Sequence, residues 1–154
     1  MRLVVAVVGK ARNAALGEAI RDYETRAARY WPLDVHEVRE ERATGIPVDK
    51  VKEREAARLS EKVPERAQIV ACEPGGKSLT SDQFAELLRT AREQDRDLAF
   101  LIGGAFGLSP SVAKKSTMRL SLAPWTLPHE IARLVLVEQI YRAGTIVRGE
   151  PYHK

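Results

Sequence analysis

Cysteine, histidine and long apolar runs are scarce in this chain, and each scarcity excludes a class of protein. The one cysteine, Cys72, cannot form an intrachain disulfide, which is typical of a reducing compartment. The histidines, His36, His129 and His153, lie too far apart for a zinc motif, so we predict no metal. No apolar run approaches the ~20 residues that span a bilayer. The sequence therefore predicts a cytoplasmic protein without a membrane segment.

The common nucleotide and hydrolase motifs are also missing. The run Gly103-Gly104-Ala105-Phe106-Gly107 lacks the spacing G-x-G-x-x-G, and the first apolar run ends in a lone Gly9, which disfavours a dinucleotide Rossmann site. The chain contains neither a G-x-x-x-x-G-K-[ST] loop nor a G-x-S-x-G elbow. These absences exclude the P-loop NTPases and the α/β-hydrolases.

The composition is that of one globular domain covering residues 1–154. Hydrophobic residues make up 44% of the chain and charged residues 30%, which supports a packed core. The net charge of +4 lies entirely in the last third, because residues 1–99 hold 18 basic and 18 acidic side chains, whereas residues 100–154 hold 7 and 3. A polyanionic partner fits this distribution, and an ordinary solvated surface is the alternative.

Five strand patterns alternate with five helix patterns. The strands are predicted at 2–8, 33–38, 68–72, 98–102 and 119–122, and the helices at 13–30, 48–62, 80–93, after Ser109-Pro110, and 131–147. Short connections between alternating elements predict an α/β fold with a mainly parallel sheet and helices on both faces. The mixed charges of the second helix predict a solvated face.

The last helix has apolar residues in every direction around its axis, as in Leu134-Val-Leu-Val137. Such a helix is buried on several sides, and one sheet covers only one of them. We therefore predict a homodimer built partly on this helix.

Three strand ends carry unusual loops: Cys72-Glu-Pro-Gly-Gly76, Ile102-Gly-Gly-Ala-Phe-Gly107 and Leu122-Ala-Pro-Trp-Thr-Leu-Pro128. Ligands of open α/β sheets bind beyond the carboxyl ends of the strands. Glycines let the backbone approach a ligand, and prolines fix the loop shape. The three loops indicate a pocket for a flat heterocycle, with purely structural turns as the alternative.

Four motifs together resemble one known family. They are Leu101-Ile-Gly-Gly-x-x-Gly-Leu-Ser109, Leu120-Ser-Leu-x-x-x-Thr-Leu-Pro-His129, Glu138-Gln-x-Tyr-Arg-Ala143 and the terminal Pro151-Tyr-His153. Their combination resembles the ribosomal RNA large subunit methyltransferase H family of the SPOUT superfamily. The resemblance extends over essentially the whole chain.

The resemblance implies a SPOUT α/β knot, with a deep trefoil knot in the C-terminal part, and a homodimer. It implies S-adenosylmethionine-dependent methylation of N3 of a pseudouridine, position 1915 of 23S ribosomal RNA, on assembled ribosomes. It places cofactor contacts at Cys72, Gly103, Leu122, Ala123, Pro124, Trp125, Thr126 and Leu127. Relatives often have a leucine in place of Cys72 and a polar pair in place of Ala105-Phe106.

Few side chains are candidates for handling the N3 proton or the RNA. His153 and Tyr152 at the tail could contact the target base, and Arg142 could meet an anionic base or phosphate across the dimer, although its spacing from Glu138 also fits a plain ion pair. We interpret His129 as ordering the cofactor loop, and the sequence assigns no general base. A second group of basic side chains, Lys10, Arg148 and Lys154, fits phosphate contacts or simple surface charge.

Two rival functions stay open on the sequence. One is a non-enzymatic protein that binds RNA or the ribosome, in which the loops only shape a basic surface. The other is a knotted methyltransferase that acts on transfer RNA.

Overall fold

The computed structural model describes residues 1–154 apart from the side chain of His153. The strands are β1 (Leu3–Val8), β2 (Leu33–Val38), β3 (Gln68–Ser78), β4 (Leu98–Ile102) and β5 (Met118–Ser121). The helices are α1 (Ala14–Ala27), α2 (Val48–Ser60), α3 (Ser81–Glu93), α4 (Pro110–Lys115) and α5 (His129–Val147), followed by a 3-10 turn (Pro151–His153).

The strands form one parallel sheet in the order β2-β1-β4-β3-β5. Every residue of β1 is buried, whereas β2 is an edge strand with partly exposed side chains, as the two sequence patterns predicted. One face of the sheet packs against α1, α3 and α5, and the other against α2 and α4. The predicted α/β fold with a parallel sheet and helices on both faces is confirmed.

Local capping fixes where the helices begin. The Asn13 side chain accepts a hydrogen bond from the amide of Leu16 at the start of α1. At the start of α3, Thr80 and Gln83 form the reciprocal capping box that their spacing predicted. Both helices therefore begin where the sequence placed them.

β3 is longer than predicted, because the sequence 73–77 was expected to be a loop and instead forms an irregularity inside the strand. Cys72 and Lys77 both pair with Leu120 of β5. Gly76 makes this possible, since a Cβ there would lie 2.6 Å from the carbonyl carbon of Leu120. The chain thus bulges outward after Cys72 and returns to the same partner strand.

α5 is covered on two sides within the chain, by α1 and α3, as well as by the sheet. Leu136, Val137 and Ile140 are fully buried, whereas Leu134 and Val135 are only half-buried. Intrachain packing accounts for much of the helix's apolar surface. The homodimer that would cover the remaining face stays a prediction. The trefoil knot also stays a prediction, and the pairing of the β3 bulge with β5 is consistent with it.

No helix of the described residues combines the length and the apolar character needed to cross a membrane.

Candidate cofactor-binding cleft

The three loops singled out in the sequence meet in one cleft at the carboxyl edge of the sheet. The cleft has a volume of ≈ 650 Å³, within the range of small-molecule sites. It is lined by Cys72–Pro74, Ile102–Gly107, Leu122, Ala123, Trp125–His129 and Ala132. Seven of the eight predicted cofactor residues line it, and the eighth, Pro124, is exposed outside the lining.

The glycine loop after β4 is folded tightly upon itself. The Gly107 amide donates to the Gly104 carbonyl at 3.0 Å, and Gly107 has a φ of +82°, which disfavours any residue with a Cβ. A Cβ on Gly103 would lie 2.5 Å from the Gly107 carbonyl carbon and 2.7 Å from the Leu108 nitrogen. The loop can therefore adopt this tight fold only with glycine at 103.

Cys72 forms an apolar wall of the cleft. Its side chain is buried, and burial, with a smaller contribution from the charge of Glu73, raises the pKa of the thiol to about 12. A thiol with this pKa stays protonated at neutral pH and is a poor nucleophile. Cys72 thus serves the cleft through its shape.

The segment after β5 forms the opposite wall. The Ser121 hydroxyl donates to the Ala123 carbonyl at 2.7 Å, which fixes the turn as the chain leaves the strand. Leu122 and Leu127 pack against the core, whereas Trp125 is 77% exposed. The segment is anchored at two leucines, and between them an indole projects at the mouth of the cleft.

The loop after β1 is tied to the first turn of α5 at the rim of the cleft. His129 lies within hydrogen-bond distance of the Lys10 carbonyl (Nε2 to O, 3.3 Å), and Glu130 accepts from the Arg12 amide at 2.9 Å. The latter bond is the largest cause that lowers the pKa of Glu130. The histidine lines the cleft and joins its last segment to the loop after β1, and its role in ordering the cofactor loop stays a prediction.

Glu55, which the sequence analysis missed, lies beneath the glycine loop. The charges of α2 were expected to face solvent, and this is wrong for Glu55, which is only 4% exposed. One carboxylate oxygen accepts from the Glu41 amide at 3.1 Å, and the other has no hydrogen-bond partner among the described residues. The spacing Val51, Glu55, Leu59 places the glutamate on the buried face of the helix, and this was the available sequence signal.

Arg142 and Tyr152 lie together but away from the cleft of their own chain. The Arg142 guanidinium donates to Glu138 at 2.6 and 3.0 Å, and the Tyr152 hydroxyl donates to the same carboxylate at 3.0 Å. Burial is the main cause that raises the pKa of Tyr152, and the bond to Glu138 raises the pKa of Arg142.

The Glu138–Arg142 ion pair, one of the two sequence alternatives, is therefore present. Arg142 is ten residues beyond Ala132 on α5, about 15 Å along the helix axis. The side chain of His153 lies outside the described residues.

Metal ligation has no structural support in the described part of the chain, where no group of three or more His, Cys, Asp or Glu side chains is placed to hold an ion.

Comparison with known proteins agrees with the geometry of the cleft. A family model described as "Predicted SPOUT methyltransferase" matches residues 1–153. The chain is 58% identical over its full length to the full-length ribosomal RNA large subunit methyltransferase H of Gemmatimonas aurantiaca. The proteins of the same name from Anaeromyxobacter sp. (strain K) and Listeria monocytogenes are 42% and 41% identical, again over 100% of both chains.

A solved structure shares the fold at much lower sequence identity. The structure of "a probable methylase family protein" from Haemophilus influenzae Rd KW20 aligns with a TM-score of 0.57 and 11% identity, over 99% of this chain and 70% of the other. This similarity shows the fold alone. The full-length matches, together with the glycine loop and the segment after β5, show that the chain belongs to the ribosomal RNA large subunit methyltransferase H family of SPOUT methyltransferases.

Proposed function

We propose that this protein transfers a methyl group from S-adenosylmethionine to N3 of the pseudouridine at position 1915 of 23S ribosomal RNA. The substrate is the assembled ribosome, and the enzyme acts as a homodimer in the cytoplasm. The observation that carries the proposal is the meeting of three sequence-distant segments, at Cys72, Gly103 and Leu122–Leu127, in one cleft. The family membership supports the reaction type.

The cleft fits the cofactor in size and in chemistry. Its apolar lining suits a flat adenine ring. Gly103, where a Cβ would meet the backbone of Gly107 and Leu108, lets the loop after β4 fold tightly at the wall of the cleft. The residues that would hold the cofactor are Cys72, Gly103, Leu122, Ala123, Trp125, Thr126 and Leu127. When bound, S-adenosylmethionine supplies an electrophilic methyl group on a sulfonium. The contribution of this chain is then to hold the acceptor nitrogen in line and to exclude water.

The acceptor N3–H is weakly acidic, so its proton must be removed or the resulting anion stabilised. Within one chain, Arg142 and Tyr152 are too far from the cleft to meet a base bound there. They can do so only from a second protomer whose α5 lies across the cleft. We propose this arrangement for Arg142, Tyr152 and His153.

A labelling experiment tests the reaction and its substrate. The protein is incubated with methyl-labelled S-adenosylmethionine and, side by side, 70S ribosomes, free ribosomal RNA and transfer RNA. We expect label in the ribosomes at one pseudouridine. Label in transfer RNA would replace the proposal with the rival methyltransferase that acts on transfer RNA, and no label in any RNA would favour the non-enzymatic binder.

Thermal unfolding with the cofactor separates that binder from an inactive enzyme. S-adenosylmethionine at 100 times its dissociation constant should stabilise the fold by about 2.7 kcal/mol. A protein that only binds RNA would show no change.

Mixed dimers test the arrangement across protomers. Gly103→Val should prevent cofactor binding in one protomer, and Arg142→Ala should remove the guanidinium from the other. Each variant alone should be inactive, and refolding them together should restore activity, because one composite site then carries both intact residues. A mixture as inactive as either variant would contradict the arrangement.

A further inference from the structure

Three arginines from separate parts of the chain converge at the amino edge of the sheet, opposite the cleft. They are Arg29 just after α1, Arg92 in the last turn of α3 and Arg148 at the end of α5, and all three are exposed. Arg148 is 16 residues beyond Ala132 of the cleft, about 24 Å along α5. We call these three side chains the arginine cluster.

The end of α1 holds two of the arginines in place. The Arg92 guanidinium stacks on the Trp31 ring, with 3.8 Å between its central carbon and the ring centroid, and donates to the Tyr30 carbonyl at 3.2 Å. Arg148 stacks on the Tyr30 ring at 4.5 Å and donates to the Arg29 carbonyl at 3.4 Å. Two neighbouring rings and two neighbouring carbonyls thus orient two guanidinium groups side by side.

The cluster forms no direct ion pair in the described part of the chain, and Glu150, which accepts from the Tyr30 hydroxyl, is a negative charge beside it. Among the described residues, no carboxylate forms an ion pair with Arg29, Arg92 or Arg148, and the nearby acids have other partners. Those partners are Arg89 for Glu93, the N-terminal amine for Asp95 and the Tyr30 hydroxyl for Glu150.

The two oriented arginines also lie close enough to repel each other. Although Arg92 is exposed as a whole residue, partial burial of its guanidinium, and then the positive charge of Arg148, lower the pKa of Arg92. An anion between them would relieve this repulsion.

The free hydrogen-bond donors of the cluster suit phosphate. A guanidinium has five N–H donors, and Arg92 and Arg148 each use one on a carbonyl, so most are left without a partner among the described residues. Stacking reduces the side-chain entropy that is lost when a ligand binds. Guanidinium and phosphate match in charge and in bidentate geometry.

We propose that the arginine cluster binds the phosphate backbone of ribosomal RNA, away from the nucleotide in the cleft. The contact is independent of base sequence, because Trp31 is 1% exposed and the Tyr30 ring is covered by Arg148, so neither ring is free to stack on a base. The inference rests on the proposed function insofar as RNA is the substrate. It adds a second contact, remote from the reacting base.

Salt dependence of binding tests the proposal. Affinity for 70S ribosomes and for free 23S ribosomal RNA is measured at a series of salt concentrations, and log K is plotted against log salt. We compare the unaltered protein with Arg29→Gln, with Arg92→Gln/Arg148→Gln, and with the triple variant. The matched control is Arg66→Gln, which changes the charge equally at an exposed loop residue before β3.

Each lost phosphate contact should make the slope shallower by about 0.7 to 0.9, the values known for single strands and for B-DNA. The control should keep the slope of the unaltered protein. Arg29→Gln removes no side-chain contact with the rings or carbonyls, so its result does not depend on the stacked pairs. Equal slopes and affinities in Arg29→Gln, the triple variant and the control would overturn the proposal. It would also be overturned if binding is weaker only in those variants that have no folded state in a thermal denaturation curve.

Methyl transfer by the unaltered protein is measured separately. If the unaltered protein methylates ribosomes and the variants keep its salt slope, the proposed role of the arginine cluster is wrong and the proposed function stands. Shallower slopes in the variants, with no methyl transfer by the unaltered protein, would support the cluster and count against the proposed function.

Discussion

Glu55 lies directly beneath Gly104, so that the glycine loop of the cleft rests on a buried acid. A Cβ on Gly104 would come 2.9 Å from one carboxylate oxygen of Glu55 and 3.0 Å from Cγ1 of Val8. The oxygen nearer to Gly104 is also the one without a hydrogen-bond partner among the described residues. The glycine loop and the Glu55 side chain therefore restrict each other's positions, and we expect the protonation state of Glu55 to affect the stability of the cleft.

The first prediction concerns pH and Glu55. Burial is the main cause that raises the pKa of Glu55 above its ordinary value of 4.5. Its contribution to the free energy of unfolding is therefore fully present below that value and is lost as the pH rises through the raised pKa. Glu55→Gln removes this loss, so the variant should gain stability relative to the unaltered protein as the pH rises.

Urea unfolding of both proteins at several pH values measures this difference. Glu86→Gln is the control, because Arg89 lowers the pKa of Glu86 and the sign reverses. The stability due to Glu86 is present above its ordinary value and is lost as the pH falls through the lowered pKa. A difference between Glu55→Gln and the unaltered protein that is the same at every pH would contradict the prediction.

The second prediction concerns the loop backbone. Gly103→Ala should weaken S-adenosylmethionine binding by at least about tenfold, or 1.4 kcal/mol, because the new methyl group overlaps the backbone of Gly107 and Leu108. Titration calorimetry measures the loss. Gly75→Ala is the matched control, since its methyl group would meet only the Arg119 guanidinium at 3.6 Å, an ordinary contact. Equal affinities in the two variants would rule out the close packing of Gly103 as a requirement for binding.

The third prediction concerns the thiol in the cleft wall. With its pKa raised to about 12 by burial, Cys72 should resist a thiol reagent at pH 8 in the folded protein and react readily after unfolding in urea. Cys72→Ala should keep methyl transfer, because the thiolate is not used. Rapid labelling of the folded protein, or an inactive Cys72→Ala variant that still binds the cofactor, would show that the sulfur has a chemical role.

The fourth prediction uses the two tryptophans of the chain. Trp125 lines the cleft and is 77% exposed, whereas Trp31 is 1% exposed and lies at the other edge of the sheet. Binding of S-adenosylhomocysteine should change the tryptophan fluorescence through Trp125 alone. The change should vanish in Trp125→Phe and persist in Trp31→Phe. A signal that survives in Trp125→Phe would place the ligand elsewhere.

The fifth prediction concerns the half-buried face of α5. Leu134→Glu should dissociate the proposed homodimer, because it places a charge where an apolar side chain would meet the partner. Light scattering measures the molecular mass. Val48→Glu is the control, since Val48 is 45% exposed at the start of α2. If the unaltered protein is already monomeric at micromolar concentration, the predicted dimer is wrong.

Most of the fold could be predicted from local signals in the sequence. The β-branched run of β1, the Asn13 cap and the Thr80–Gln83 capping box depend on residues a few positions apart, so their outcome could be predicted without the rest of the chain. The three strand-end loops could also be predicted to meet, since parallel strands end at the same edge.

What escaped prediction depends on distant partners. The bulge after Cys72 exists because both of its ends pair with Leu120, about fifty residues away, and no local pattern specifies that pairing. The cluster at Trp31 likewise needs Arg92 and Arg148, which only the packing of α1, α3 and α5 brings together. The burial of Glu55 was readable from its helical spacing, but its charge favoured the opposite interpretation.

The pairing of Leu120 with both Cys72 and Lys77 also affects when the cleft can be completed during translation of this chain. Two walls of the cleft, at Cys72 and Gly103, are translated before the third, the segment at Leu122–Leu127, which follows the strand that pairs with both ends of the β3 bulge. A chain still emerging from the ribosome without its last third has no complete cleft. The proposed cofactor site is therefore complete only once the segment at Leu122–Leu127 has been translated.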